Sequence, residues 1–527
     1  MNVGQLLANS ARRFPDRPAV TWGVHTRTYG ELDRRTNALA RALGSLGVAR
    51  GDRVCVLMRN RPEMLEAMFA CFKGGFCVVP LNSRFTPEEV AFHVEDAGAR
   101  AVLTDAEGAP VVAGASVPAG RVVVAGGDGA GQSAGHLDHD ELIAGADGAP
   151  VAADVGRDDL AWLFYTSGTT GHPKGAMLTH GVLGFVVASW LADLTPLDER
   201  DVTLHAAPLS HGAGFHALAA TARGARQVIP AGAHFEPRAI LELLARERVT
   251  NTWLVPTQIV MLLDALDGAR PELPDLRAVV YGGAPFAPAD LRLALETFGP
   301  VLVQLFGQGE TPMTATVLSA RDHAAALAGD RPERLSSAGV ARPGTDVRIL
   351  GEGDAELPAG EVGEVCVRGG AVMAGYWRRP EDTAATLRNG WLHTGDLGRM
   401  DEQGYLYLLD RAKDMIISGG SNVYAVEVEA VLAEHPAVHE VAVVGTPDRT
   451  WGEVVTAVVV PREGVATADL GSVLAEHCGA VLAGYKRPRR FVFRQSLPRN
   501  SYGKVLKREL RESLARADED ARDPAGT

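Results

Sequence analysis

The run Tyr165-Thr166-Ser167-Gly168-Thr169-Thr170-Gly171-His172-Pro173-Lys174-Gly175 directly follows the apolar stretch Leu160-Ala161-Trp162-Leu163-Phe164. No other segment constrains the fold as much. A buried strand must end where three glycines, four aliphatic hydroxyls and one lysine begin. The glycines let the backbone approach an anion closely, and Pro173 disfavours a regular helix through the loop. Backbone N–H groups, hydroxyls and an ammonium gathered at the end of a strand suit a polyphosphate. A short Gly/Ser/Thr cluster is ordinarily a solvated turn. The length, the order and Lys174 argue for phosphate binding instead. The common P-loop carries its lysine directly after the last glycine and a hydroxyl after the lysine. Here His172 and Pro173 intervene and Gly175 follows, so the loop is of another kind.

The surrounding pattern alternates. Tyr29-Gly30-Glu31-Leu32-Asp33 opens an amphipathic helix with Leu39, Leu43 and Leu46 on its apolar side, and Arg53-Val54-Cys55-Val56-Leu57-Met58 reads as a buried strand. A helix with Met64, Leu65, Met68 and Phe69 leads to Cys77-Val78-Val79-Pro80, and Ala101-Val102-Leu103-Thr104 is a further strand. Such alternation predicts α/β layers with parallel pairing. Residues 107–150, rich in Gly, Ala and Asp, read as a poorly patterned surface excursion; Gly127-Asp128-Gly129-Ala130-Gly131 within it is a loop rather than a dinucleotide fingerprint, because no capped helix follows. Alternation resumes over 200–305. From 338 to 410 the pattern is β-rich, with Val347-Arg348-Ile349-Leu350, Gly363-Glu364-Val365-Cys366-Val367-Arg368 and Gly404-Tyr405-Leu406-Tyr407-Leu408, which fits a small barrel-like subdomain. A last α/β unit has a helix over 426–434 and strands over 441–444 and 454–460. The expected division is 1–410, a hinge at 411–413, a mobile C-terminal domain over 414–514 and a disordered tail over 515–527.

The phosphate loop, spelled S-G-T-T-G-x-P-K-G, resembles that of the adenylate-forming superfamily, which includes acyl-CoA and aryl-CoA synthetases, nonribosomal-peptide adenylation domains and luciferases. The resemblance covers the chain from about Tyr29 to Leu510, with further motifs in order. It implies that Thr166, Ser167, Gly168, Thr169, Thr170, Gly171 and Lys174 hold the β- and γ-phosphates of ATP. Tyr281-Gly282-Gly283-Ala284-Pro285 matches the segment lining the adenine pocket, through Gly283, Ala284 and Pro285. Phe306-Gly307-Gln308-Gly309-Glu310-Thr311 stands where the family carries Tyr-Gly-x-Thr-Glu. An aromatic there packs on adenine, and Glu310 helps hold Mg²⁺. Gly309 departs from the pattern, since the usual threonine hydroxyl touches the α-phosphate. Either Gln308 or Thr311 takes its place, or adenylate binding weakens by about 1.5–3 kcal/mol. Trp391-Leu392-His393-Thr394-Gly395-Asp396 matches W-x-x-T-G-D, which implies that Asp396 accepts both ribose hydroxyls, and Arg411 in Asp410-Arg411-Ala412-Lys413-Asp414 reaches the nucleotide. Lys413 matches the hinge. Ser418-Gly419-Gly420-Ser421 matches the loop that lines the pantetheine tunnel in CoA-forming members, with Gly419 and Gly420 as its small residues. Lys504, in Gly503-Lys504, would steady the charge at the α-phosphorus. Arg487 in Gly484-Tyr485-Lys486-Arg487-Pro488 reads either as a contact for CoA phosphates or as part of a generic basic surface.

The implied reaction has two halves. A carboxylate attacks MgATP, giving an acyl-adenylate and pyrophosphate, and the thiol of CoA then displaces AMP. His211, together with Ala213, Gly283, Gly307 and Met313, is expected to line the acid pocket, with Trp253 able to close it. The rival readings are loading of a carrier-protein thiol, activation of nitrite for an aryl amine, and a non-catalytic nucleotide-binding protein. Retention of Lys174, Glu310, Asp396, Arg411 and Lys504 speaks against the last. A net charge of −13 argues against nucleic-acid partners. Five scattered cysteines without metal-ligand spacing, and no apolar run of membrane-spanning length, predict a soluble cytoplasmic protein; a homodimer is left open.

Overall fold

The computed structural model describes the chain except residues 1, 118–119, 127–134, 167–172, 233, 412–413, 419–420, 449–450, 500–504 and 523–527; for residues 410–411 and 518–522 it describes the backbone alone. The first long helix, Tyr29–Ser45, begins where Thr28 and Glu31 cap each other. Thr28 Oγ1 accepts from the Glu31 N–H at 3.2 Å and Glu31 Oε2 accepts from the Thr28 N–H at 2.7 Å. Two donors that helix geometry would leave unpaired are thereby satisfied. Leu32, Leu39 and Leu43 then fall on one buried face.

Two large sheets carry the N-terminal body. In the seven-stranded sheet, Arg53–Leu57 lies between Cys77–Pro80 and Ala99–Asp105, all parallel. Leu160–Thr166 joins beside Cys77–Pro80, and Lys174–Thr179 turns back antiparallel at the edge. In the nine-stranded sheet the parallel run Val202–Leu204, Asn251–Leu254, Ala278–Tyr281 and Leu302–Gln308 is extended by Thr311–Leu318 in antiparallel sense. Helix Gly212–Arg223 is packed between the two sheets, with residues 213–221 buried. Its Phe215 stacks on Trp162 of the first sheet at 4.8 Å between centroids. At Gly212 a β-carbon would lie 2.7 Å from Trp253 and 2.9 Å from Met313 of the second.

The β-rich stretch is a five-stranded antiparallel sheet, Thr345–Leu350, Gly363–Gly369, Trp391–Met400, Leu387–Arg388 and Leu406–Arg411, with register shifts at Glu364/Cys366 and Leu397/Gly398. From Ile416 onward a separate core forms around the ladder of Val438–Asp448 and Gly452–Pro461. Its two faces show the strand period of two. Val443, Val455, Ala457 and Val459 pack under helices Ala425–Ala433 and Leu470–Val481, whereas Ala442, Val444, Val458 and Val460 pack with Leu510 and Leu514 of helix Lys507–Arg522.

Two expectations are corrected. Residues 107–150 are not a plain surface excursion, for Val122–Ala125 and Leu137–Asp138 extend the seven-stranded sheet and Asp138 caps helix His139–Ala144. The valines 122–124 were hidden by their short run and Gly/Ala-rich flanks. The tail does not become disordered at 515; helix Lys507–Arg522 runs past it because Leu510 and Leu514, one turn apart, anchor it to the sheet. The segment 127–131 lies outside the described residues.

Candidate active site

Two hairpin ends, one from each large sheet, meet at the site. In the first, Thr166 and Lys174 are cross-strand partners at the mouth of the phosphate loop, whose Ser167, Gly168, Thr169, Thr170 and Gly171 lie outside the described residues. In the second, Gln308 pairs with Thr311, so Gly309 and Glu310 form a two-residue tip. Thr166 Oγ1 donates to Glu310 Oε1 at 2.9 Å, and the Tyr376 hydroxyl donates to the same oxygen at 2.7 Å. The Glu310 carbonyl accepts from the Met373 N–H at 2.8 Å. With Oε1 committed to two hydroxyls, this buried carboxylate can offer its other oxygen to a cation. A single hard oxygen donor beside a polyphosphate fits Mg²⁺, which takes one or two carboxylates and completes its shell from phosphates and water.

Lys174 is buried and paired with Asp382, while its Nζ lies 5.4 Å from the centre of the Tyr376 ring. Neither Tyr376 nor Asp382 was singled out from the sequence. The legible signal was a helix start, Pro380 in the first turn with Glu381 and Asp382 after it, and its N-terminal polarity favours acids there.

Asp396 lies near this tip. Gln308 Nε2 donates to Asp396 Oδ2 at 2.7 Å and to the Thr394 carbonyl at 3.0 Å. The turn carrying Asp396 is pinned from below: Glu364 accepts from the Gly395 N–H at 2.9 Å and from His393 Nδ1 at 2.8 Å. Gly395 has φ +69°, which favours glycine. Arg411 is the cross-strand partner of Asp396; its side chain is outside the described residues. Gly283, with φ +82° and open space where a β-carbon would point, and Pro285 are exposed, and Ala284 is half-buried. Phe306 is largely inside the main core.

Around Gly309 the expectations narrow. Thr311 is fully buried with its hydroxyl on Thr314 at 3.4 Å, so it does not stand in for a hydroxyl at 309. The Gln308 amide is spent on Asp396 and Thr394.

Where the sequence leads one to expect the acid pocket, His211 precedes helix Gly212–Arg223 and its ring centroid is 4.9 Å from that of Phe164. Burial pushes the His211 imidazole down to about 3, against a weaker opposing bond to the Ser210 backbone, so the ring is neutral at pH 7. Met313, at φ +57°, presents its carbonyl to the buried Arg342, which also holds the Ser189 carbonyl and Asp193. Ala213 is fully buried, and Gly307 sits against the Met313 N–H and Thr311 carbonyl, where a β-carbon would come within 2.6 Å of each. Arg487 Nε donates to the Leu482 carbonyl at 2.8 Å on the exterior of the C-terminal body. Lys413, Gly419, Gly420 and Lys504 lie outside the described residues.

The AMP-binding enzyme model matches residues 7–377, and the AMP-binding enzyme C-terminal domain model matches residues 427–504. The chain belongs to the AMP-binding enzyme family. A feruloyl-CoA synthase from Amycolatopsis sp is 41% identical, over 97% of this chain and 98% of that protein. The fatty acid–[acyl-carrier-protein] ligase ScoC of Streptomyces coeruleorubidus is 37% identical over 95% of this chain and 94% of its own. Among solved structures, the anthranilate CoA ligase AuaEII in complex with anthranoyl-AMP aligns with a TM-score of 0.88 at 27% identity, covering 98% of both chains. This AMP-binding enzyme is an AMP-forming acid–thiol ligase. It uses ATP and Mg²⁺ to convert a small carboxylic acid into an acyl-adenylate with release of pyrophosphate, and it passes the acyl group to the thiol of CoA. Among the described residues no helix is long and apolar enough to cross a membrane.

Proposed function

We propose that the acid is an aryl-substituted monocarboxylic acid. The observation that carries this reading is the aromatic face at the acid end: Phe164 and His211 side by side, backed by Phe215 and Trp162. Flat rings stack on such a face. A neutral His211 offers no charge to a second carboxylate. The names of the feruloyl-CoA synthase and of the anthranilate ligase support the same class.

In this reading Ser167, Thr169 and Thr170 hold the β- and γ-phosphates with Lys174, whose ammonium exchanges Asp382 for the more highly charged polyphosphate. Glu310 holds Mg²⁺, Asp396 exchanges the Gln308 amide for the ribose hydroxyls, and Gly283, Ala284 and Pro285 border the base. Lys504 steadies the charge at the α-phosphorus, a role suited to an ammonium on a long flexible stem. A swing of the C-terminal body about Lys413 then withdraws Lys504 and admits Gly419 and Gly420 beside the incoming thiol. Five buried free cysteines suit the reducing cytoplasm.

An ATP–pyrophosphate exchange screen over aryl, short, medium and dicarboxylic acids, with nitrite included, tests the substrate class; a preference outside the aryl acids refutes it. Lys504→Ala is expected to abolish exchange while sparing thioester formation from supplied acyl-adenylate, and equal loss of both halves refutes the division of labour. A carrier-protein thiol as a further acceptor beside CoA is a second reading, favoured by the likeness to ScoC. It is refuted if acyl-adenylate incubated with a carrier protein yields no thioester.

A further inference from the structure

Gly309, the first residue of the turn that presents Glu310, is closed off by the opposite hairpin. A β-carbon placed there would overlap Thr166 Cγ2 and lie 2.5 Å from Phe164 Cδ1 and 2.8 Å from its Cε1. Neither neighbour is free to give way. Thr166 is held through its hydroxyl on Glu310. The Phe164 ring packs on Phe215, 5.7 Å between centroids and 29° between planes; Phe215 in turn stacks on the fully buried Trp162 at 4.8 Å and 25°. On its other side Phe164 meets His211 at 4.9 Å. Core aromatics packed to crystal-like density resist such displacement.

We infer that Gly309 and Phe164 form one coupled specificity device: residue 309 is bare so that the Phe164 ring can lie across the acid end of the site and, with His211, form the wall that selects flat aryl carboxylic acids. Phe164 is half-buried, so one part of the ring is anchored on Phe215 while the rest is left for substrate. A threonine at 309 and a phenylalanine at 164 exclude each other in this backbone. The departure at 309 is thus tied to which acid is activated. The selection half of the inference rests on the aryl reading of the substrate; the steric half does not.

The test uses the full-length enzyme in a Thr166→Ser background, which removes the Cγ2 methyl and keeps the hydroxyl on Glu310, and three variants in it, Phe164→Ala, Gly309→Thr and the double substitution. Each is checked for folding by its thermal unfolding midpoint and then assayed by ATP–pyrophosphate exchange on aryl acids and on straight-chain acids of matched length. Phe164→Ala is expected to lower the aryl to straight-chain ratio of kcat/KM about tenfold. Gly309→Thr alone is expected to lower exchange with every acid about a hundredfold, because the displaced ring misplaces the acid. The double variant should regain at least about tenfold over Gly309→Thr, now with the straight-chain preference. A double variant no better than Gly309→Thr on any acid overturns the coupling. An aryl-preferring Thr166→Ser parent whose Phe164→Ala variant keeps the same ratio overturns the wall alone. A wild type that prefers straight-chain acids overturns the aryl reading and the wall with it, while rescue in the double variant still decides the coupling.

Discussion

Replacing Tyr376 by phenylalanine removes one oxygen from beside Glu310, the proposed cation ligand, and leaves the ring in place. That oxygen donates to Glu310 Oε1 at 2.7 Å, beside the Thr166 bond at 2.9 Å. Burial first, and then the charge of Glu310, push the Tyr376 phenol above its ordinary range, so it remains a donor at every working pH. A hydrogen bond to an ionised group is worth about 1.5–3 kcal/mol. The Thr166 bond survives the substitution, so the lower figure applies, roughly tenfold in an equilibrium constant. The phenyl ring stays under Lys174, 5.4 Å from Nζ, and keeps its attraction for the ammonium. The effect should therefore fall on the cation rather than on the phosphate lysine. In pyrophosphate exchange titrated with Mg²⁺ at fixed ATP, the half-saturating Mg²⁺ concentration of Tyr376→Phe should rise about tenfold, with KM for the acid moving less than about twofold. Thr166→Val should act in the same direction, and the double variant should lose more than the sum, because the pair shares one oxygen. Folded variants with an unchanged Mg²⁺ dependence, or with KM for the acid shifted as far as that for Mg²⁺, would refute the assignment of Glu310 to the cation.

Arg342→Met removes a buried guanidinium from Asp193 and from the Ser189 and Met313 carbonyls; a loss of about 3 kcal/mol in urea unfolding is expected. KM for the acid should rise more than KM for ATP, since Met313 at φ +57° loses its anchor, and an unchanged acid KM in a folded variant counts against that role. The pH dependence of stability follows from His180, His205 and His323, each pushed by burial down to about 4, and His211, pushed down to about 3. Their folded pKa values lie below the unfolded value of about 6.5, so the unfolded chain binds the extra protons. The stability they permit is complete above about pH 6.5 and falls as the pH drops toward 4, with unfolding taking up about three to four protons at pH 5. A urea midpoint that stays level from pH 6.5 to 5 refutes this.

The layered fold was legible because its signals are local and periodic. Residues 29–33 open a helix whose apolar positions Leu39 and Leu43 recur at helical spacing, and the runs 53–58 and 77–80 announce buried parallel strands. The short strand Val122–Ala125 was not legible, because what makes it a strand is the neighbouring edge of Ala99–Asp105 rather than any pattern of its own. Motif spelling singles out Thr166, Lys174, Glu310 and Asp396, and folding brings them to the two neighbouring hairpin tips. Tyr376, Asp382 and Arg342 were not legible: an aromatic hydroxyl, a helix-start acid and a lone arginine carry no signal until folding sets them on Glu310, Lys174 and Met313.

Gly309 shows why such residues escape a linear reading. By itself it is a missing hydroxyl beside the phosphates, and its nearest substitutes in sequence are Gln308 and Thr311. Both are committed elsewhere, one to Asp396 and the other to Thr314. What stands where the side chain would be is an aromatic ring from the other sheet, brought there by the pairing of two hairpin tips through Thr166 and Glu310. A loss at one position and a bulky ring at another are a single packing solution, because the space between the tips holds one of the two and not both. The irregularity at 309 consequently bears on the acid proposed here, through Phe164, while Glu310 and Lys174 keep their own supports in Tyr376 and Asp382. It follows that nitrite chemistry gains no support from Gly309, since the bare position is already filled by a ring suited to an aryl acid.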